Sequence, residues 1–99
     1  FPDGMKVHQS PPSLFDSPGH SAELQCSHNI NSYDQMYWYQ QTRKGALDLI
    51  GYLYNKDVKP EEKFKKRFNL TGDGRKAGSL TISSVTAEDS AVYFCAASI

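Results

Sequence analysis

The chain has 99 residues, enough for one domain and no more. Hydrophobic residues make up 38% and formal net charge is zero, so the excess of Lys and Arg that nonspecific nucleic-acid binding requires is missing. No stretch approaches the roughly 20 apolar residues that span a bilayer, so membrane attachment is expected only through a segment outside this chain.

An extended segment opens the chain and is interrupted by Pro11-Pro12, as an edge strand permits. Asp16-Ser17-Pro18-Gly19 reads as a turn. Residues 21–27 alternate, with Ala22, Leu24 and Cys26 on one face and Glu23, Gln25 and Ser27 on the other. After the polar loop HNINSYDQ (28–35), a second extended run places Met36, Trp38 and Gln40 on one face and Tyr37, Tyr39 and Gln41 on the other. Thr42 to Gly45 reads as a hairpin connection, and 46–54 as a strand bent near Gly51. Asn55-Lys56-Asp57 is a turn, and 63–71 is expected to be a strand with Phe64, Phe68 and Leu70 as its apolar contacts. A flexible turn follows over 72–78, then a strand over 79–83 with Leu80 and Ile82 inward, and a crossover turn over 84–89 with Val85 beneath it. Ala91, Tyr93 and Cys95 share the last inward face, opposite Val92 and Phe94. Short alternating strands between frequent turns describe an all-β sandwich.

Cys26 and Cys95 are too far apart for a CxxC redox or zinc pair. The histidines His8, His20 and His28 are scattered and read as solvated loop or strand positions, so no metal is expected. A domain of this size buries only about 60 to 65% of its unfolded surface, which leaves a marginal core. A disulfide closing the roughly 70 residues between the cysteines contributes about 4 kcal/mol in the loop-entropy account. Such a bond implies an oxidising compartment; the alternative is two buried free thiols in a cytosolic domain. The absence of a charged-then-apolar leader is expected of a chain whose secretion signal has been removed.

The series Cys26, Trp38, Cys95, with Tyr93 two residues before the second cysteine in AEDSAVYFC (87–95), resembles an immunoglobulin variable domain. The resemblance spans essentially the whole chain. It implies a V-type two-sheet Greek-key sandwich in which Trp38 packs on the disulfide and Leu80 joins the core. Tyr93 would form a hydroxyl-bonded corner. Arg67 and Asp89 match a family ion pair, expected to be largely exposed and worth under about 1 kcal/mol. MYWYQQ (36–41), GALDLIGYLYN (45–55) and RFNLTGD (67–73) look most like a T-cell receptor variable domain, with the beta chain favoured. CAAS (95–98) departs from the usual beta ending and suits an alpha or delta chain equally. The family's joining strand, with its Phe-Gly-x-Gly motif, does not follow. The sequence therefore reads as a germline V portion or a fragment whose final strand is truncated, with one strand edge open to pairing.

The resemblance implies recognition without catalysis or cofactor; no Ser-His-Asp set, P-loop or metal-ligand cluster stands out. The first hypervariable loop corresponds to 28–35, with Asn29, Asn31, Tyr33 and Asp34 as contacts, a composition suited to adaptable hydrogen bonding around a rigid aromatic. The second corresponds to 53–58, with Tyr54, Asn55 and Lys56; the third begins at Ala96 and includes Ala97 and Ser98; a lesser fourth spans 73–76. Tyr39, Gln41, Leu47 and Phe94 match the face that meets a partner variable domain, Gln41 through a reciprocal amide pair. The implied partners are a second receptor chain's variable domain and a peptide held by an MHC molecule, on the extracellular side of the plasma membrane. Alternatives are an antibody light-chain-like or innate V-type receptor with a non-MHC ligand, or a homophilic adhesion domain. The basic run from Lys56 to Arg67 reads as a solvated edge. Asn69-Leu70-Thr71 is an N-glycosylation sequon whose Asn69 is expected to point outward.

Overall fold

Period-two alternation of apolar and polar side chains governs most of the chain, and the computed structural model, which describes residues 7–10, 21–89 and 91–99, turns it into strands. The expectations placed at Pro11-Pro12, Asp16 to Gly19 and His20 lie outside the described residues. The strands are β1 (Val7–Ser10), β2 (Ala22–His28), β3 (Gln35–Gln41), β4 (Leu47–Tyr54), β5 (Asp57–Pro60), β6 (Phe68–Asp73), β7 (Ala77–Ile82) and β8 (Val92–Ser98). They form two antiparallel sheets in the orders β1-β2-β7-β6 and β5-β4-β3-β8. Because β2 pairs with β7 and β3 with β8, the chain crosses between sheets in Greek-key fashion instead of meandering along one.

The inward faces carry the core. Leu24, Met36, Trp38, Ile50, Leu53, Leu80, Ile82 and Tyr93 are fully buried. Cys26 and Cys95 are bonded across the sandwich, their Cα atoms 6.3 Å apart and 69 residues apart in sequence. Trp38 is the register partner of Cys95, so its indole stands beside the disulfide as expected. Its Nε1 is buried without a hydrogen-bond partner among the described residues. The bend near Gly51 is a bulge. Trp38 pairs with Gly51 and Tyr39 with Leu49, which leaves Ile50 as the extra residue. At Gly51 a Cβ would lie 2.9 Å from the Lys59 carbonyl oxygen, so β5 can approach only a glycine there.

Two sequence expectations fail in the segment after β4. Asp57–Pro60 forms its own strand at the sheet edge, and the chain over 61–67 coils instead of extending. The amides of Phe64 and Lys65 bond to the Glu61 carbonyl, and the Phe68 amide bonds to the Phe64 carbonyl. The expected strand therefore begins at Phe68, not Lys63. The cause lies in the spacing: the apolar residues are Phe64 and Phe68, four apart, which is the period of a helical turn. Both are buried and meet edge to face at 5.1 Å.

A third correction concerns Arg67 and Asp89. The guanidinium grips the carboxylate with two bonds of 2.8 Å. The Asp89 side chain is only 5% exposed against 41% for Arg67, so the pair is half-buried, not a surface pair. Asp89 also accepts from the Thr86 amide at 2.8 Å, closing the 3-10 turn Ala87–Asp89. These bonds, that to Arg67 foremost, hold its carboxyl below the usual carboxylate range. The Tyr93 hydroxyl donates to the Asp89 carbonyl at 2.6 Å, forming the expected corner, and accepts from Gln40 Nε2. Burial pushes the Tyr93 hydroxyl's pKa up, which keeps the proton in that bond.

Candidate recognition surface

Four chain segments end at one pole of the sandwich, and backbone hydrogen bonds link them in series. The Asp34 amide donates to the Ser98 carbonyl, the Asn55 amide to the Asp34 carbonyl, and the Gly74 amide to the Asn55 carbonyl at 2.7 Å. The Gly74 carbonyl in turn receives His28 Nε2 at 2.9 Å. The loop after β2, the turn after β4, the turn after β6 and the end of β8 thus form one continuous surface. Gly74 is required at the centre: a Cβ there would lie 2.5 Å from the Asp34 carbonyl oxygen and 2.8 Å from that of Leu53. Asn55 adopts φ of 53°, a left-handed conformation that asparagine tolerates better than most residues.

His28 is a correction to the solvated reading of the histidines. It continues the inward series Ala22, Leu24, Cys26 and is buried. Its Nδ1 accepts the Ile30 amide at 3.1 Å, which leaves Nε2 to carry the proton toward Gly74. The same alternation that identified Cys26 was the signal for it. Its ring lies 5.9 Å from that of Tyr33, which is half-buried.

Among the candidate contacts, Asn29, Asn31, Tyr54 and Lys56 are exposed, whereas Asp34 and Asn55 are partly withdrawn by the backbone series. Asp34 Oδ1 is buried with no partner among the described residues. The second loop shrinks to Asn55 and Lys56, because Tyr54 pairs with Asp57 across β4 and β5. Ala97 and Ser98 do not open a loop; they continue β8, paired with Met36 and Gln35. In the fourth loop Arg75 folds onto Asp73 at 2.7 Å and holds that carboxyl down to about 2.

The outer face of the β5-β4-β3-β8 sheet forms the second surface. Its rows, read from β8 through β3 to β4, are Val92–Gln41–Leu47, Phe94–Tyr39–Leu49, Ala96–Tyr37–Tyr52 and Ser98–Gln35–Tyr54. Leu47 is 56% exposed and Phe94 42%. Tyr37 stacks on Tyr52 at 5.4 Å and on Tyr39 at 6.4 Å, joining the aromatic face to the loop pole. The sequence reading set Tyr37 on this face but did not count it, or Tyr52, among the contacts. The Gln41 Nε2 donates to the Gly45 carbonyl at 3.3 Å. Among the described residues β8 pairs only with β3, and the Gln9 side chain meets its other side, donating to the Tyr93 carbonyl and accepting the Cys95 amide.

The opposite sheet is different. Its outward residues on β2, β7 and β6 include Glu23, Gln25, Thr81, Ser79, Asn69 and Thr71, all polar. Among the described residues no helix is long and apolar enough to cross a membrane.

Comparison with known proteins agrees with this geometry. The family model for the immunoglobulin V-set domain matches residues 9–99. The chain is 35% identical to human T cell receptor beta variable 3-1 over 92 residues, covering 93% of this chain and 80% of that relative. It is 30% identical to the mouse T-cell receptor beta chain V region LB2 over 97 residues, covering 98% of this chain and 71% of the relative. A chain from a solved structure describing T cell specificity and activation by the bacterial superantigen toxic shock syndrome toxin-1 superposes with a TM-score of 0.86 at 27% identity. That superposition covers 96% of this chain and 82% of the other.

Proposed function

Since the chain belongs to the immunoglobulin V-set family, we propose that it is a T-cell receptor variable domain that pairs with a second variable domain and reads a peptide held by an MHC molecule. It would do so on the extracellular side of the plasma membrane, anchored by a segment outside this chain. The observation that carries the pairing is the asymmetry between the two sheet faces: aromatic and aliphatic on β3, β4 and β8, polar on the other. An outward apolar patch of this kind marks a protein interface, and its Tyr and Phe residues are what interface centres favour. The Gln41 bond to Gly45 is exposed and long, so exchange for a partner's amide costs little.

Ligand reading follows from the loop pole. Its backbone series is made of main-chain groups, so side chains at Asn29, Asn31, Tyr54 and Lys56 can vary without loosening the frame. Rigid support beneath polar and aromatic contacts lowers the ordering cost of binding.

Co-expression with a partner variable domain tests both parts. Tyr39→Ala and Phe94→Ala should each weaken association by about 2 kcal/mol, roughly 30-fold, while Glu23→Ala on the opposite sheet leaves it unchanged. Asn31→Ala and Lys56→Ala should weaken peptide–MHC binding by the assembled receptor but leave pairing intact. Association indifferent to Tyr39 and Phe94 would refute the assigned face. Loss of pairing in the loop variants would refute the division of labour.

A further inference from the structure

The sequon at residues 69–71 is the one N-x-Ser/Thr series in the chain, and neither pairing nor ligand reading uses it. It lies in β6, the edge strand of the polar sheet. Phe68 and Leu70 are buried inward, so Asn69 and Thr71 are both exposed on the outer face. Their cross-strand neighbours are Thr81 and Ser79, followed on β2 by Glu23 and Gln25. No large apolar side chain stands in these rows, and no ion pair or hydrogen bond described here engages the Asn69 amide. Among the described residues, a bulky hydroxyl-rich substituent at this position displaces no packed side chain.

We propose that Asn69 carries an N-linked glycan that covers the outer face of the β1-β2-β7-β6 sheet and the edge of β6, reserving the opposite sheet for protein partners. The Cys26–Cys95 disulfide supports exposure to the oxidising secretory lumen, where the donor, a lipid-diphosphate-linked oligosaccharide, is found. In the transfer, Asn69 Nδ2 forms a bond to sugar C1 and gives up one proton. The C1–O bond to the diphosphate breaks, and the lipid diphosphate leaves with the electron pair. The hydroxyl of Thr71 completes the acceptor motif. On the folded domain the glycan also blocks the outer edge of β6, which among the described residues pairs only with β7 and where strand addition from another chain would otherwise be possible.

The chain is expressed through a eukaryotic secretory pathway and treated with peptide N-glycosidase. Whole-cell lysate is analysed as well as medium, since transfer precedes folding and the readout survives poor secretion. The expected result is a mobility shift on digestion, with Asn69 converted to Asp in the peptide mass spectrum. The shift should vanish in Asn69→Gln and Thr71→Ala and persist in Thr71→Ser. An unmodified Asn69 in the wild-type chain would overturn the proposal, as would a shift that survives Asn69→Gln. The shielding role is overturned if the deglycosylated and glycosylated proteins self-associate equally.

Discussion

Removing Arg67 should cost more stability than removing Asp89, although the two side chains share the same pair of bonds. The difference comes from what each deletion leaves behind. Without Arg67, a carboxylate that is 5% exposed keeps only its Thr86 bonds and faces an uncompensated burial. The Ser83 and Ser84 carbonyls also lose their guanidinium donor, and the Phe68 ring loses a cation at 5.5 Å. Breaking a buried pair this way costs about 3–5 kcal/mol, and the partial exposure of the site puts the expectation near 3–4. Without Asp89, the guanidinium at 41% exposure turns to water, and the principal losses are the charge-assisted pair and the Thr86 contact. The expected cost is about 2–3 kcal/mol. The double variant should be less destabilised than the sum of the singles by about 2 kcal/mol. Urea unfolding of the disulfide-intact chain at pH 7 measures all three, with m unchanged if the denatured state is unaffected. Equal single costs, or additivity within a few tenths of a kcal/mol, would refute the reasoning.

Acid should act through the same corner and through the Asp73–Arg75 pair at the loop pole. The folded-state pKa of Asp89 is depressed, chiefly by Arg67, and that of Asp73 is lowered by Arg75 to about 2. A depressed carboxylate contributes stability that is present above its unfolded pKa near 4 and lost as pH falls through the folded value. The urea midpoint should therefore drop between about pH 4 and pH 2, and Asp89→Asn should flatten part of that slope; a wild-type midpoint that rises on acidification would contradict the assignment. Tyr93→Phe strips the buried Asp89 carbonyl and Gln40 amide of their shared partner and should cost about 1–3 kcal/mol by thermal or urea melts. A neutral outcome would mean the corner hydroxyl is dispensable. Gly74→Ala should destabilise by about 1–3 kcal/mol, because both atoms in its path are backbone. It should also speed hydrogen exchange at the Asp34 and Asn55 amides; unchanged exchange there would show that the loops do not depend on one another through Gly74.

The faces of the strands were legible in the sequence because strand periodicity is local. Alternation alone put Leu24, Cys26, Trp38, Leu80 and Tyr93 inward and Tyr39 and Phe94 outward, and the structure places them so. Where the local pattern was mixed, the reading slipped. Phe64 is expected as a strand contact although its spacing of four to Phe68 is that of a helical turn, and His28 is expected in solvent although it lies on the series that contains Cys26. The Arg67–Asp89 pair was recognisable from the family pattern, but its half-burial was not, since burial depends on what packs around the corner.

By itself, then, the sequence determined which strand faces turn inward, because alternation depends on side chains one or two positions apart, and the family pattern of Cys26, Trp38, Tyr93 and Cys95 identified the clamp and the partner face. Only the tertiary structure decided that Ser98, Asp34, Asn55, Gly74 and His28 form one connected pole. Those groups are main-chain atoms or a ring nitrogen brought together from distant parts of the chain. Their meeting depends on how the sheets stack and where each turn closes, and no residue type along the chain encodes it.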